Sequence, residues 1–187
     1  MVTTILFDFY GVFVEDTYNS WLISHGLKRT GAYQEVADRL DRGIITPNDF
    51  YNELSALSGQ PAALIQAVFK TPKEVNASTV AILASLSSRY TIALTSNGTQ
   101  RSRDILRHHD AEGYFDAFFN SAEMGLSKPS RAFFVEVLRR LDVAASQALL
   151  IDDSAVNTQA ASEYGLKTIH FQNVTQLSTS LRSLGIL

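Results

Sequence analysis

Ile5-Leu6-Phe7-Asp8-Phe9-Tyr10-Gly11-Val12 is the stretch on which the fold turns. An apolar run ends in a carboxylate, and a glycine follows three residues later. A strand covered on both faces reads as a continuous apolar run of this kind. The pattern recurs outward along the chain. Thr4–Phe9, Thr91–Thr95, Ala148–Ile151 and Thr168–Phe171 read as buried strands, with a further short strand around Phe115–Phe119. Helical patterns lie between them. Arg101–His109 follows the second run, and Arg131–Leu141 precedes the third with Phe133, Phe134, Val137, Leu138 and Leu141 on one face. Val156–Tyr164 follows the third and stops at Gly165, a C-cap residue. The alternation predicts an α/β fold, a doubly wound parallel sheet with right-handed crossovers.

Val14 to Ser78 reads differently. Amphipathic segments lie near Thr17–His25, Tyr33–Arg42, Pro47–Leu57 and Ala62–Phe69, punctuated by Gly26, Gly31, Gly43, Gly59, Pro61 and Pro72. Thr46-Pro47-Asn48-Asp49 is a helix start: Thr46 caps, Pro47 suits the first turn, and Asp49 complements the dipole. Residues 1–13 and 79–187 are therefore expected to form the α/β core, and residues 14–78 a small helical cap.

The chain has 187 residues, enough for one domain with an insert, and a formal net charge of −3. No basic stripe marks a nucleic-acid partner. Without cysteine there is no disulfide and no cysteine–zinc site. The N-terminus carries no basic leader, and no apolar run reaches the ~18 residues of a spanning helix, so no membrane association and a cytoplasmic location are expected. The expected assembly is a monomer or a homodimer.

Ligands of open α/β sheets bind beyond the carboxyl ends of the strands. The strand ends here deliver Asp8, Ser96-Asn97-Gly98 and Asp152-Asp153-Ser154, with Lys128-Pro129 just ahead of a helix. Each piece alone has an ordinary explanation. An Asp after a strand often caps a helix, Ser-Asn-Gly makes turns, and Lys-Pro is a common surface pair. Asp152-Asp153 says more, because adjacent carboxylates at a buried strand end repel, and a cation offsets that cost. Thr99, Gln100 and Arg101 either start a helix or reach the phosphate and its substituent. Tyr18, Trp21 and Tyr33 are expected to pack the cap, and His108 and His109 to sit at a helix end.

Ile5–Val12, Leu94-Thr95-Ser96-Asn97-Gly98, Lys128-Pro129 and Leu150-Ile151-Asp152-Asp153-Ser154 resemble, in order, the four motifs of the haloacid dehalogenase-like superfamily. The insert resembles that superfamily's small helical cap. The resemblance implies a hydrolase in which Asp8 is the nucleophile and forms a covalent aspartyl intermediate. It implies a Mg²⁺ ion between the Asp8 carboxylate, the Tyr10 carbonyl and Asp153, with Asp152 close by. Ser96 and the amide of Asn97 would hold phosphoryl oxygens, and Lys128 would neutralise charge on Asp8 and the transferring group. The implied substrate is a small phosphorylated molecule.

Tyr10 departs from that pattern, since phosphatases of the superfamily usually carry a second Asp two residues after the nucleophile. A phenol is roughly 0.1% ionised at neutral pH, so it is a poor base, though it can donate a hydrogen bond. Asp-x-Tyr-Gly also resembles the first motif of the L-2-haloacid dehalogenases, which displace halide without a metal. Against that reading stand the Asp152-Asp153 pair and Asn157, which lies where those enzymes resemble a water-activating Asp. The arginine they use for the substrate carboxylate has no secure match, although Arg39 and Arg42 lie in the cap. Phosphatase, dehalogenase and a weakly active or non-catalytic binding member remain the three readings.

Overall fold

The computed structural model describes Met1 to Leu187. The chain runs through β1 (Thr4–Phe7) into four helices, α1 (Thr17–Ser24), α2 (Ala32–Asp41), α3 (Pro47–Ser58) and α4 (Ala62–Lys70). It continues through α5 (Ala77–Ser87), β2 (Thr91–Ser96), α6 (Arg101–His108), β3 (Ala117–Asn120), the short α7 (Ser121–Met124) and α8 (Arg131–Leu141). It closes with β4 (Ala148–Asp152), α9 (Ala155–Glu163), β5 (Lys167–His170) and α10 (Val174–Ser183).

The strands form one parallel sheet of order β3-β2-β1-β4-β5. Strand alternation sends successive residues to opposite faces. Ile5, Phe7, Ile92, Leu94, Leu149 and Ile151 pack with Ile82, Leu83 and Leu86 of α5, Leu106 of α6, and Leu177 and Leu181 of α10. Leu6, Ala93 and Leu150 pack on the other face with Phe133, Phe134, Val137 and Leu138 of α8 and Ala161 of α9. Both faces of β1, β2 and β4 are covered, which is why those strands read as unbroken apolar runs. The chain winds from β1 out to β3, then crosses to β4 on the far side of β1. Such a reversal opens a crevice at the carboxyl end of the central strand.

β1 ends two residues earlier than its apolar run. The Phe9 N–H donates to Asp8 Oδ1 at 2.7 Å, and the Phe9 carbonyl accepts from Phe13 N at 2.9 Å, so the chain turns there. α5 and α10 lie outside the sequence reading. Thr79, Ile82, Leu83 and Leu86 of α5 do follow helical spacing, but Ser and Thr interrupt it.

α1 to α4 pack around an aromatic cluster of Tyr18, Trp21, Phe50 and Tyr51 with Phe69 against it. Tyr18 and Trp21 are packing residues, as expected. The capping box at α3 is formed, Thr46 Oγ1 accepting from Asp49 N at 3.2 Å and Asp49 Oδ2 from Thr46 N at 3.0 Å. Arg39 pairs with Glu53 at 2.8 Å, and Arg42 Nε donates to the Asp38 carbonyl at 3.2 Å. The end of α2 meets the core at α7. The Gly98 N–H donates to Ser121 Oγ at 2.8 Å, and Ser121 Oγ donates to the Asp41 carbonyl. No helix is long and apolar enough to cross a membrane.

Candidate active site

Parallel register sets Phe7 opposite both Leu94 and Ile151, so the residues just past these ends leave the sheet at one level. Asp8, Ser96 and Asp152 are thereby delivered to the crevice. Asp8 N still bonds the Ile151 carbonyl at 2.9 Å, which fixes the start of its side chain.

Lys128 is fully buried between two carboxylates, its Nζ 2.9 Å from Asp8 Oδ1 and 2.6 Å from Asp152 Oδ2. Asp152 is also fully buried and its oxygens are saturated. Oδ1 accepts from Ser154 N at 2.9 Å and Asn157 Nδ2 at 3.0 Å, and Oδ2 accepts from Lys128 and, at 3.1 Å, from Asn157 Nδ2. Neither carboxylate of the pair caps the next helix; Ser154 does, Oγ accepting from Asn157 N at 3.4 Å. Asp8 differs from Asp152 in that both its contacts, Phe9 N and Lys128 Nζ, fall on Oδ1, which leaves Oδ2 open. Asp153 faces Gly11. The Tyr10 carbonyl accepts no hydrogen bond from the chain.

Asp8, Asp152 and Asp153 can each present an oxygen within 4.8 Å of the others. The electrostatics record the crowding. Burial, then Asp152, hold the Asp8 carboxyl well above its usual range, with Lys128 pulling the other way. Burial and Asp152 push Asp153 up to about 6. Burial disfavours the Lys128 cation, but Asp152 and Asp8 outweigh it and raise Lys128 to about 12. Three carboxylates share one lysine, a deficit of positive charge. The open oxygens of Asp8, Asp153 and Tyr10 are hard donors of the kind a magnesium ion takes, and one or two carboxylates suffice to hold it. These residues fit that ion.

The third wall is the loop after β2. Ser96 is fully buried, and its Oγ is the one buried side-chain polar atom with no hydrogen-bond partner. A buried orphan of this kind costs about 1–3 kcal/mol unless a ligand satisfies it. The Asn97 side chain has a task the sequence did not reveal. Its Nδ2 donates to the Lys128 carbonyl at 2.8 Å and its Oδ1 accepts from Lys128 N at 2.9 Å, which ties the loop to the lysine segment. The Tyr10 ring lies against Gly98, where an added Cβ would sit 3.4 Å from Cε2. Burial pushes the Tyr10 phenol up to about 12, so it stays protonated at neutral pH and offers a hydroxyl rather than a base. The sequence-predicted residues Asp8, Tyr10, Ser96, Asn97, Lys128, Asp152 and Asp153 thus all line this crevice or its wall.

The family profile described as haloacid dehalogenase-like hydrolase matches residues 2–165. The chain belongs to this family. Among its relatives, a sesquiterpene phosphatase of Aspergillus oryzae is 27% identical over 155 residues, covering 80% of this chain and 79% of that one. A D-ribitol-5-phosphate phosphatase of Bacteroides thetaiotaomicron is 26% identical, covering 92% of this chain and 93% of its own. The fold also matches the HAD family enzyme bt-2542 of Bacteroides thetaiotaomicron, solved in complex with magnesium and inorganic phosphate. The TM-score is 0.70 at 19% identity, with 92% and 95% of the two chains covered.

Gly11 is fixed by this geometry. Its φ is +81°, and a Cβ there would overlap the Asp153 carboxylate. Gly11→Ala is expected to cost about 1–3 kcal/mol of stability from the backbone alone. By displacing Asp153 it should also weaken Mg²⁺ binding by roughly tenfold, the order seen when a metal site's support is lost. Thermal melts and magnesium titrations check the two effects separately, and an unchanged metal affinity would remove Asp153 from the donor set.

Proposed function

We propose that this family member is a Mg²⁺-dependent phosphatase that acts on a small phosphorylated substrate through an aspartyl-phosphate on Asp8. The observation that carries the reading is the cluster of Asp8, Asp152 and Asp153 around a single buried lysine, which a divalent cation completes. The phosphatases among its relatives support it. Asp8 Oδ2 attacks phosphorus, the bond to the leaving oxygen breaks, and water then hydrolyses the aspartyl-phosphate. Ser96 Oγ and the Asn97 backbone N–H hold non-bridging oxygens. Lys128 favours the ionised form of Asp8 against its burial and offsets charge on the transferring group. Asp8, the Tyr10 carbonyl and Asp153 would hold a magnesium ion, which would neutralise charge on the transferring phosphoryl oxygens. Asp152 positions Lys128 and Asn157. The helical insert, residues 14–78, caps the site and sets the substrate.

The dehalogenase reading rests on Tyr10 alone. Asn157, which would have to be the water-activating acid, is an amide bound to both oxygens of Asp152. Arg39 and Arg42 are engaged within the cap.

The test is hydrolysis of p-nitrophenyl phosphate and of an alkyl phosphate, with Mg²⁺ and with chelator. Turnover should require the metal, and halide should not be released from short 2-haloacids. Because Tyr10 supplies no base, Tyr10→Asp should accelerate the alkyl ester by about tenfold or more, a fraction of the ~10²–10⁴ that acid–base help is worth. Metal-independent turnover sinks the phosphatase reading, and a slower Tyr10→Asp enzyme shows that the phenol has work of its own.

A further inference from the structure

We infer that Ser121 is a positioning residue that ties the phosphoryl-holding loop to the cap: its hydroxyl, held by the Asp41 carbonyl of α2, fixes Gly98 and with it the backbone N–H of Asn97. This rests on the phosphatase reading for what the loop holds, and adds how the loop is set. Parallel register places Ser96 beside Asn120, so the loop after β2 and the start of α7 leave the sheet together. α7 then takes both backbone groups of Gly98. The Gly98 N–H donates to Ser121 Oγ at 2.8 Å, and the Gly98 carbonyl accepts from Ala122 N at 3.1 Å. On the other side, the Asn97 side chain is clamped to Lys128. Between these anchors the Asn97 N–H donates to no backbone carbonyl. It is a fixed donor left for a ligand, one residue from the unpartnered Ser96 Oγ.

Ser121 is fully buried and has one hydroxyl proton, which it gives to the Asp41 carbonyl. A hydroxyl that donates is a stronger acceptor, so the bond to Asp41 strengthens the one from Gly98. Asp41 depends on this partner as well. Its carbonyl is among the last of α2, which no helical N–H reaches. The N–H groups of Arg42, Gly43 and Ile44 turn back to the carbonyls of Asp38, Leu40 and Arg39 instead. The cap holds Asp41 in turn. Its carboxylate pairs with Arg29 at 3.2 Å, and Arg29 lies over the Tyr18 ring of the aromatic cluster, 5.4 Å from the centroid.

Gly43 brings the two backbones together. Its φ is +68°, and a Cβ there would lie 2.8 Å from the Ala122 carbonyl oxygen, so a side chain at this position pushes α2 off α7. Gly98 passes the contact on to the crevice, since a Cβ there would lie 3.4 Å from Tyr10 Cε2 and 3.8 Å from Ser96 Oγ. A cap that lifts takes the Asp41 carbonyl with it and leaves Gly98 bound to a hydroxyl that has lost its acceptor. The loop is therefore set for phosphate while the cap is docked, which is how closure completes a site.

The experiment follows amide hydrogen exchange by NMR, and binding of inorganic phosphate, in the Asp8→Asn protein with Mg²⁺. Gly43→Ala changes the cap, yet it should speed exchange at the Gly98 amide by about tenfold, the scale of one hydrogen bond. Coupling is reciprocal, so inorganic phosphate should slow exchange at Gly43 and Ile44 by about fivefold, and Ser121→Ala should abolish that response. Ser121→Ala should also weaken phosphate binding by about tenfold. Combined with Gly43→Ala it should cost no more than the larger single loss, because both cut the same connection. With Asp8 in place, Ser121→Ala should lower kcat on p-nitrophenyl phosphate by about tenfold. A Gly98 amide that ignores Gly43→Ala, a cap response to phosphate that survives Ser121→Ala, or additive losses in phosphate affinity each overturn the inference. So does a lower melting temperature with kcat unchanged, which makes Ser121 a packing residue. The exchange at Gly98 needs no turnover. If the parent protein hydrolyses no phosphate ester, the phosphatase reading fails by itself, and if it does while Gly98 ignores the cap, only this inference falls.

Discussion

Asp8→Asn is expected to lower kcat for every phosphate ester by roughly 10⁴-fold or more, as removal of a covalent nucleophile does. The same change should raise the melting temperature of the metal-free protein. Burial and the neighbouring Asp152 hold the Asp8 carboxyl well above its ordinary range, so its ionised form is disfavoured in the folded state. A group of this kind contributes stability below its unfolded pKa, about 4 for Asp, and loses that contribution as pH rises through its folded pKa. The advantage of the neutral Asn is therefore absent near pH 4 and grows toward pH 8. Magnesium should shrink it, because the ion binds the native carboxylate and stabilises the parent protein by mass action. Melts of both proteins across that pH range, with chelator and with Mg²⁺, read the sign directly. An Asn protein no more stable at pH 8 would mean that Lys128 alone already balances Asp8.

β1, β2 and β4 were legible as apolar runs because their part of the sheet is buried on both faces. The edge strands are partly exposed, and within β5 only Ile169 is buried, between polar neighbours. The limits of the strands were less legible for a local reason. Phe9 is as apolar as Phe7, and what ends β1 is a hydrogen bond from its own N–H to Asp8 Oδ1 at 2.7 Å, which leaves no compositional trace. α5 buries Thr79 among Ile82, Leu83 and Leu86, so its inner face is not wholly apolar. α10 buries only Leu177 and Leu181, too few to establish a helical period.

At the site, residue types with chemistry of their own could be read and residues that act through geometry could not. Asp8, Lys128, Asp152 and Asp153 announce themselves as charges at strand ends. Asn97 looks like a turn residue and proves to be a two-way clamp on Lys128, a contact across 31 positions of sequence. Ser121 looks like nothing in particular, yet it joins the Gly98 loop to the end of α2. The separation of Asp152 from Asp153 is the sharpest case. Adjacent in sequence and identical in type, they bring oxygens within 4.8 Å of one another yet differ in their partners. One is saturated by Lys128, Asn157 and Ser154, and the other is left open toward Gly11.

That separation makes Lys128 the structural centre of the site as well as part of its chemistry. Lys128→Met removes the only cation within 4 Å of Asp8 and Asp152. Removing one partner of a buried ion pair typically costs about 3–5 kcal/mol, because the charge left behind has no compensation. For a chain of this length that is a fall in Tm of roughly 10 °C. The loss should grow as pH rises above the carboxylate range, since protonation of Asp8 or Asp152 relieves it. A second change, Asp152→Asn, removes one of the two stranded charges. The double variant should therefore be more stable than Lys128→Met alone, which is the non-additivity expected of groups in one network. Activity should stay lost in both, because restoring stability does not restore the positive charge beside Asp8. If Asp152→Asn lowered stability further in the Lys128→Met background, Asp152 would be acting through Asn157 and Ser154 rather than as the counter-ion of the lysine.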